Sequence, residues 1–223
     1  MKQKWIWSLL FLFLIVFGSV LIWQGYGEQA QPNPRPFALA RRKQGLPRTV
    51  ENAPEGTALA VVGQAPDFTL TERSGRSFSK SELLGKPWVA DFIFTSCAGQ
   101  CPLMSMEMRR LQGLFPKESG LQFVSVTVDP DRDKPEVLAD YANRYEADKD
   151  RWFFLTGEKN EINRVLKEFF LSPVDQPAMH SVRFILVDQD GKIRGYYDSS
   201  EPAGIKQLIH DAKILTAKSS SPQ

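Results

Sequence analysis

The sequence predicts an α/β fold, a mixed sheet flanked by helices, preceded by one transmembrane helix. Three observations lead to this prediction. Short apolar runs alternate along residues 60–215 with segments whose apolar residues recur at helical spacing. The last two runs are joined by Asp190-Gly191, a typical hairpin turn, and a neutral apolar stretch lies close to the N-terminus. Helices between strands imply parallel pairing, and the final hairpin adds an antiparallel edge.

Composition and charge exclude several classes of protein. The chain has 223 residues, of which 42% are hydrophobic and 24% are charged, a composition typical of folded domains and not of disordered chains. Its 28 basic and 26 acidic residues leave a net charge of +2, which argues against a nucleic-acid-binding surface. Two cysteines and two histidines are too few for a disulfide-rich scaffold, a four-cysteine zinc site or a site of three imidazoles.

Residues Trp5–Trp23 form an uncharged run that predicts a transmembrane helix. As a helix, this run would span about 28 Å, close to the thickness of the hydrocarbon core of a bilayer. No clean small-x-small cleavage site follows Trp23, so we expect a retained single-pass anchor, with a cleaved signal peptide as the alternative. Lysines before the run and basic residues after it leave the orientation open.

The rest of the chain divides by composition. Prolines among Gln, Asn, Arg and Gly after the anchor indicate an extended tether, and the C-terminal Ser-Ser-Ser-Pro-Gln indicates a loose tail. The stretch between them has the size of one domain. The predicted divisions are an N-terminal flank at 1–4, the anchor at 5–23, the tether at 24–59, the α/β domain at 60–215 and a flexible tail at 216–223.

The α/β domain begins with two predicted strands. Asp67–Thr71 alternates apolar and polar residues, and a Ser-Gly turn leads into Arg76–Phe78. A short helix is predicted at Ser79–Leu84, where Gly85 ends it. Trp88–Phe94 is a nearly unbroken apolar run, which is expected of a strand buried on both faces.

Two helices and a strand follow. Pro102–Phe115 is predicted as a helix because its apolar residues fall on one stripe, namely Met104, Met108, Leu111 and Phe115. Leu121–Val128 is a second buried-looking strand. Pro135–Tyr145 is predicted as a helix capped by Asp133. Its expected inward-facing side chains are Val137, Tyr141 and Tyr145.

The last third of the domain repeats the alternation. Trp152–Thr156 is predicted as a strand, and Glu158–Phe170 has the apolar spacing of a buried helical face. Val182–Val187 and Lys192–Tyr197 are the two strands of the predicted hairpin. A last helix, Glu201–Leu215, is expected to bury Ile205, Leu208, Ile209 and Ala212. This order of elements has a thioredoxin-like character.

Both cysteines, Cys97 and Cys101, follow the most apolar strand, at the end where α/β sheets commonly hold their sites. Pro102 suits the first position of the next helix, so Cys101 is expected at its amino edge, where the helix dipole favours a thiolate. Their spacing lets the two sulfurs converge, either as a disulfide, redox-active or structural, or around one metal ion. Thioredoxin-type oxidoreductases have two residues between their cysteines, and peroxiredoxins have Thr three positions before the reactive Cys. This chain fits neither spacing.

His180 is the expected third member of the site. It lies in a loop just before the strand Val182–Val187, whereas His210 points away from the apolar face of the last helix. Two thiolates and one imidazole suit Cu(I), and zinc would accept the same set with an open fourth position. Met179, beside His180, is left open as a further soft ligand.

The chain resembles the Sco (SenC) family of cytochrome c oxidase assembly proteins over essentially the whole α/β domain. Several sequence segments carry the resemblance, and they are specific for the family only in combination. They are Gly63–Leu70, Phe92–Cys97, Cys101-Pro102, Val124–Pro135, His180-Ser181 and Phe184–Asp188. The resemblance implies a thioredoxin-like fold and a copper ion, Cu(I) or Cu(II), bound by Cys97, Cys101 and His180. Family members usually have Pro-Asp after the first Cys, where this chain has Ala98-Gly99.

Other polar and soft residues near the cysteines are expected to have structural roles. Three aspartates follow the second buried strand, namely Asp129, Asp131 and Asp133. They are expected to turn the chain and to cap the next helix. Three methionines follow Cys101, namely Met104, Met106 and Met108, and are expected to pack their helix against the core.

The expected function is that of a metallochaperone, not an enzyme, which delivers copper to the binuclear copper centre of cytochrome c oxidase. The alternatives are a thiol–disulfide oxidoreductase that reduces the copper-ligand cysteines of the oxidase through the Cys97–Cys101 pair, and a redox or copper sensor. The expected partners are the copper-bearing subunit of the oxidase, a copper donor chaperone and a thiol reductant, with no nucleic acid. Such a function requires a periplasmic or otherwise extracytoplasmic domain, anchored in the bacterial inner membrane.

Overall fold

The computed structural model describes residues 59–170 and 182–219. Within these residues, eight strands form one sheet that is flanked by four helices. The strands are β1 (Gly63–Gln64), β2 (Thr69–Glu72), β3 (Ser77–Ser79), β4 (Trp88–Ile93), β5 (Gln122–Thr127), β6 (Trp152–Thr156), β7 (Arg183–Val187) and β8 (Lys192–Asp198). The helices are α1 (Gln100–Leu114), α2 (Pro135–Arg144), α3 (Lys159–Phe170) and α4 (Pro202–Ser219). The predicted α/β architecture is confirmed.

Across the sheet, the strands follow the order β1-β8-β7-β4-β5-β6-β2-β3. Strands β4, β5 and β6 are parallel, as the helices between them require, whereas β7 runs antiparallel beside β4. The predicted β7–β8 hairpin is present, but it lies within the sheet and not at its edge. The edge strand β1 pairs with β8 through only two residues, which is too short a segment to leave a periodic signal in the sequence.

Successive residues of β4 point to opposite faces of the sheet. Trp88 and Phe92 pack in the core cluster that includes α3, whereas Val89 and Ile93 pack in the cluster that includes α1, α2 and α4. All six residues of β4 are buried, which confirms the prediction of a strand covered on both faces. The loop that leaves this strand therefore starts from the interior of the domain.

The helices differ from their predictions in detail. The apolar stripe of α1 is buried as expected, and so are Ile162, Val165, Leu166 and Phe169 of α3. In α2, Tyr141 is buried and Tyr145 packs against the core as predicted, but Val137 is exposed and Leu138 is buried instead. Helix α4 continues to Ser219, beyond the predicted end at Leu215, and Thr216 in this extension is still buried. The short helix predicted at Ser79–Leu84 is a 3-10 turn at Lys80–Leu83.

The sequence also predicts a transmembrane helix before the α/β domain. No helix in the part of the chain that the structure describes is long and apolar enough to cross a membrane. The predicted anchor Trp5–Trp23 and its tether lie outside the described residues, so both stay predictions.

Candidate metal centre

The two cysteines lie at the junction of β4 and α1. β4 ends at Ile93, and the chain passes through Cys97 before α1 begins at Gln100. Cys101 is therefore the second residue of the helix, whereas the sequence placed Pro102 at its first position. Pro102 is tolerated as the third residue because the N–H groups of a first helical turn have no acceptor within the helix.

Both cysteines are free thiols that differ in exposure. Cys101 is 7% exposed and belongs to the core cluster on the α1 side of the sheet. Cys97 is partly exposed and packs against the margin of the same cluster. A molecule that approaches from solvent therefore reaches the sulfur of Cys97 first.

The pKa of the Cys97 thiol is lowered below its ordinary value. Burial acts to raise this pKa, but hydrogen bonds from the backbone N–H groups of Cys101, Gly99 and Gln100, together with the Cys101 thiol, outweigh it. The N–H of Gly99 donates to Sγ of Cys97 at 3.4 Å. These donors belong to the start of α1, where N–H groups lack helical acceptors, so the fold itself favours a thiolate at Cys97.

Cys101 has the opposite character. Burial raises the pKa of its thiol to about 12, although a hydrogen bond from the backbone of Phe94 opposes the effect. The pKa of Cys101 is raised further by the hydrogen bond and the charge of Cys97, and by the charge of Asp91. The pair thus presents one sulfur whose ionisation is favoured and one that keeps its proton at neutral pH.

Asp91 is a buried acid that the sequence analysis passed over. It lies in the middle of β4, and neither of its carboxylate oxygens has a hydrogen-bond partner in the part of the chain that is described. Burial raises its pKa to about 7, and weak interactions with the Ser125 hydroxyl and its own backbone, which do not meet hydrogen-bond geometry, oppose this only in part. The signal in the sequence was a single acidic residue inside an otherwise apolar strand.

The sequence predicted that Asp133 caps α2, but it does not. The residue that precedes the helix is Lys134, and no side chain caps it. The buried carboxylate of Asp133 accepts hydrogen bonds from Thr95 and Thr127 instead. The prediction failed because Thr95 is 38 residues away in sequence, and only the parallel pairing of β4 with β5 brings the two loops together.

The remaining candidates are dispersed. Asp131 forms an ion pair with Lys159 at 2.8 Å, and the N–H of Asp129 donates to Thr127. Within residues 59–170 and 182–219, no three His, Cys, Asp or Glu side chains are grouped so that they could hold a metal ion. Met104 and Met108 are buried as expected, but Met106 is 59% exposed, so the expectation that it packs against the core was wrong.

The two histidines have different outcomes. His210 lies on the exposed side of α4, away from the apolar face, as expected. His180 and its neighbour Met179 lie outside the described residues, so the third ligand stays a prediction. The described part of the site therefore consists of two sulfurs. They can either form a disulfide with each other or bind a soft metal ion, and a metal-bound thiol loses its proton.

Comparison with known proteins shows what the chain is related to. A model of the SCO1/SenC family matches residues 59–216. The SCO1 protein homolog of Bacillus subtilis (strain 168) is 35% identical over 153 residues, which are 66% of this chain and 79% of that protein.

Two solved structures extend the comparison. BsSco, described as having a disulfide switch and as a member of the Sco family of cytochrome c oxidase assembly proteins, is 32% identical with a TM-score of 0.64. The match covers 72% of this chain and 98% of that chain. ScoI of Bradyrhizobium japonicum with copper bound is 22% identical with a TM-score of 0.57, over 68% of this chain and 99% of that chain. At this identity, the second likeness shows the fold alone.

These likenesses confirm the thioredoxin-like fold and the resemblance on which the sequence analysis relied. The matched residues include Cys97, Cys101 and the position of His180, and they make up most of the chain. The chain belongs to the SCO1/SenC family.

Proposed function

We propose that this protein binds copper through Cys97, Cys101 and His180 and delivers it to the binuclear copper centre of cytochrome c oxidase during assembly. The observation that carries the proposal is the pair of free thiols at the β4–α1 junction, one of which has a lowered pKa. Thiolates are soft ligands that suit Cu(I), and an added imidazole completes a three-coordinate set. Copper is in this view a cargo, which must leave the site as readily as it enters.

The relatives support the assembly part of the proposal. BsSco is described as a member of a family of cytochrome c oxidase assembly proteins. The partial exposure of Cys97 suits a site that exchanges its metal with a partner protein. The copper-bearing subunit of the oxidase is the proposed acceptor, and a copper donor chaperone and a thiol reductant are the proposed suppliers.

The proposed location follows from the proposed function. Copper delivery to the oxidase requires the α/β domain to face the periplasm, or an equivalent extracytoplasmic space. The uncharged run Trp5–Trp23 would hold the protein in the bacterial inner membrane with one span.

Anaerobic titration of the reduced full-length protein with Cu(I) tests the copper proposal. We expect one tightly bound ion per chain, and we expect tight binding to disappear in Cys97→Ala and in Cys101→Ala. Ser96→Ala is the matched control, because Ser96 is an exposed neighbour of Cys97 without a soft donor atom. Stoichiometric tight binding in the double variant Cys97→Ala/Cys101→Ala would contradict the proposal.

A second candidate function is thiol–disulfide exchange, in which the protein reduces the copper-ligand cysteines of the oxidase. The contrast between the two thiols favours it, since the accessible Cys97 suits the attacking thiolate and the buried Cys101 suits the resolving thiol. The disulfide switch described for BsSco is in keeping with such chemistry. Both functions use the same sulfurs, and the protein can perform them at different times.

His180→Ala separates the two functions. Imidazole is needed for coordination but not for attack of sulfur on sulfur, so we expect weaker Cu(I) binding and an unchanged rate of exchange with a dithiol. His210→Ala is the matched control, because that histidine lies on the exposed side of α4. Wild-type copper affinity in His180→Ala, together with loss of oxidase assembly, would assign His180 to a partner or to a redox step.

A further inference from the structure

Asp133 connects the loop that carries the cysteines to the neighbouring strand. It lies between β5 and α2, and its side chain is fully buried. Oδ2 accepts hydrogen bonds from the backbone N–H of Thr95 at 3.0 Å and from the Thr127 hydroxyl at 2.5 Å, and Oδ1 accepts one from the Thr95 hydroxyl at 2.5 Å. One carboxylate thus joins the ends of two parallel strands.

The loop that holds Asp133 is itself fixed in place. The backbone N–H of Asp133 donates to the carbonyl of Asp129 at 2.9 Å, and the N–H of Val128 donates to the carbonyl of Ile93 at 2.8 Å. The Asp133 carboxylate makes no hydrogen bond to the start of α2. Its three hydrogen bonds therefore support the strand ends, and two of them go to Thr95, two residues before Cys97.

The position of Thr95 affects both cysteines. The backbone of Phe94, the preceding residue, acts to lower the pKa of the buried Cys101 thiol. The N–H of Cys97 donates to the carbonyl of the same Phe94 at 3.2 Å. A displacement of Thr95 would therefore shift the Phe94 backbone, which acts on both cysteines. It would also move the sulfur of Cys97 relative to the N–H groups of α1.

We propose that Asp133 is a positioning residue for the dithiol, which holds Thr95 and thereby keeps Cys97 against the first turn of α1. Asp133 makes no hydrogen bond to either sulfur, and it acts through Thr95 alone. The inference rests on the proposed role of Cys97 as the accessible sulfur donor of the site. It does not depend on copper, because the contacts that carry it are between protein groups alone.

The rate of alkylation of Cys97 by iodoacetamide tests this proposal in reduced, copper-free, full-length protein. Only a thiolate attacks the reagent, and Cys101 is buried with a pKa of about 12, so the rate between pH 5 and 9 reports on Cys97. In Asp133→Asn, an amide nitrogen replaces one of the two accepting oxygens and the charge is lost, so the side chain holds Thr95 less firmly. We expect the midpoint of the pH profile to rise by about one unit and the rate at pH 7 to fall by up to about tenfold.

Two further variants grade the effect and keep the proposal testable if Asp133→Asn does not fold. Thr95→Ser keeps both donors and should alkylate as the wild type does. Thr95→Val keeps only the N–H, so its midpoint should lie between those of the wild type and Asp133→Asn. Equal midpoints for Thr95→Val and Thr95→Ser would overturn the proposal.

Asp211→Asn is the matched control for general damage. Asp211 is also buried, and it accepts hydrogen bonds from Tyr197 of β8 at 2.7 Å and from Gln207 of its own helix α4 at 2.9 Å. We expect this variant to alkylate at the wild-type rate in its folded state. An equal shift in Asp211→Asn, or a wild-type profile in folded Asp133→Asn, would show that Asp133 is merely structural. Because no copper is present, failure of the copper proposal would leave this result unaffected.

Discussion

The carboxylate of Asp91 and the thiol of Cys101 lie on the same side of the sheet, and the charge of Asp91 adds to the effects that raise the pKa of Cys101. Asp91 lies on the same face of β4 as Val89 and Ile93, which pack in the same core cluster as Cys101. The domain thus contains two neighbouring groups whose ionised forms are disfavoured. Asp91 has no hydrogen bond among the described residues to offset its burial.

The first prediction is that Asp91 makes the domain less stable as the pH rises. Its pKa is about 7 in the folded chain against 3.8 ordinarily, so between these values the folded state keeps a proton that the unfolded state has lost. The stabilising contribution is complete below pH 3.8 and disappears as the pH rises through about 7. The difference corresponds to about 4 kcal/mol of unfolding free energy.

Urea unfolding of Asp91→Asn between pH 5 and pH 8 measures this contribution. Asn resembles the protonated carboxyl at every pH. At pH 5 the folded wild type keeps the Asp91 proton but the unfolded wild type has lost it, so the variant should already be more stable there, by about 1–2 kcal/mol. At pH 8, the variant should be more stable than the wild type by a few kcal/mol. Parallel stability curves over this range would show that Asp91 is not the group responsible.

The second prediction concerns Gly99, the position at which the resemblance noted in the sequence implies Asp. A Cβ atom at this position would lie 3.9 Å from Sγ of Cys97, which is an ordinary van der Waals contact, so a side chain fits. In Gly99→Asp, the new carboxylate would disfavour the Cys97 thiolate and raise its pKa. We expect alkylation at pH 7 to slow about three- to tenfold.

Gly99→Ala is the matched control, since it adds the Cβ atom without the charge. Its alkylation rate should stay close to that of the wild type. If Gly99→Ala slowed the reaction as much as Gly99→Asp did, the backbone freedom of glycine would be responsible. The missing carboxylate would then not explain how this site differs from those of its relatives.

The main elements of the fold could be predicted from the sequence because their signals are local. The apolar run of β4 and the helical stripe of α1 each lie within about fifteen residues, and both were placed correctly to within a few residues. The turn at Asp190-Gly191 is similarly a local signal, and it predicted the β7–β8 hairpin. The position of that hairpin within the sheet is not local, because β7 pairs with β4, about a hundred residues earlier.

The supporting residues of the site could not be predicted for the same reason. Asp133 stands close to the start of α2, so its sequence neighbours indicated a helix cap, whereas its actual donors come from the β4 loop. Asp91 lies within an apolar strand. The apolar pattern predicts that strand, but it does not predict the role of a single acidic residue inside it. The cysteines themselves were recognisable because they follow β4 directly, but their unequal pKa values depend on burial, which only the packing determines.

The third prediction separates two methionines of α1 that the sequence treated alike. Met108 is fully buried in the core cluster, and Met106 is 59% exposed. Met108→Ala should lower the unfolding free energy by about 2–5 kcal/mol, because it removes buried methylene groups and leaves a cavity. Met106→Ala should change it by less than about 0.5 kcal/mol. Equal losses in urea unfolding would contradict the packing of α1 described above.

The fourth prediction concerns the segment before the domain. A shortened protein that begins at Leu59 keeps the carbonyl that accepts a hydrogen bond from Arg194, and it keeps the contact of Leu59 with the core. We expect it to unfold at the same urea concentration as the full-length protein and to bind copper equally well. It should support oxidase assembly poorly at native expression levels, because an anchored domain searches only a thin layer beside the membrane.

Overexpression separates the two contributions of the anchor. A higher concentration of the shortened protein should restore oxidase assembly if anchoring acts only through effective concentration, and should not if the anchor also contacts a partner. The premise of a retained anchor is tested by mass spectrometry of the protein purified from its native membrane. Its N-terminus should precede Trp5, because no clean small-x-small cleavage site follows Trp23. A mature N-terminus between Gly25 and Ala30 would identify a cleaved signal peptide, and the shortened protein should then assemble oxidase as well as the native one.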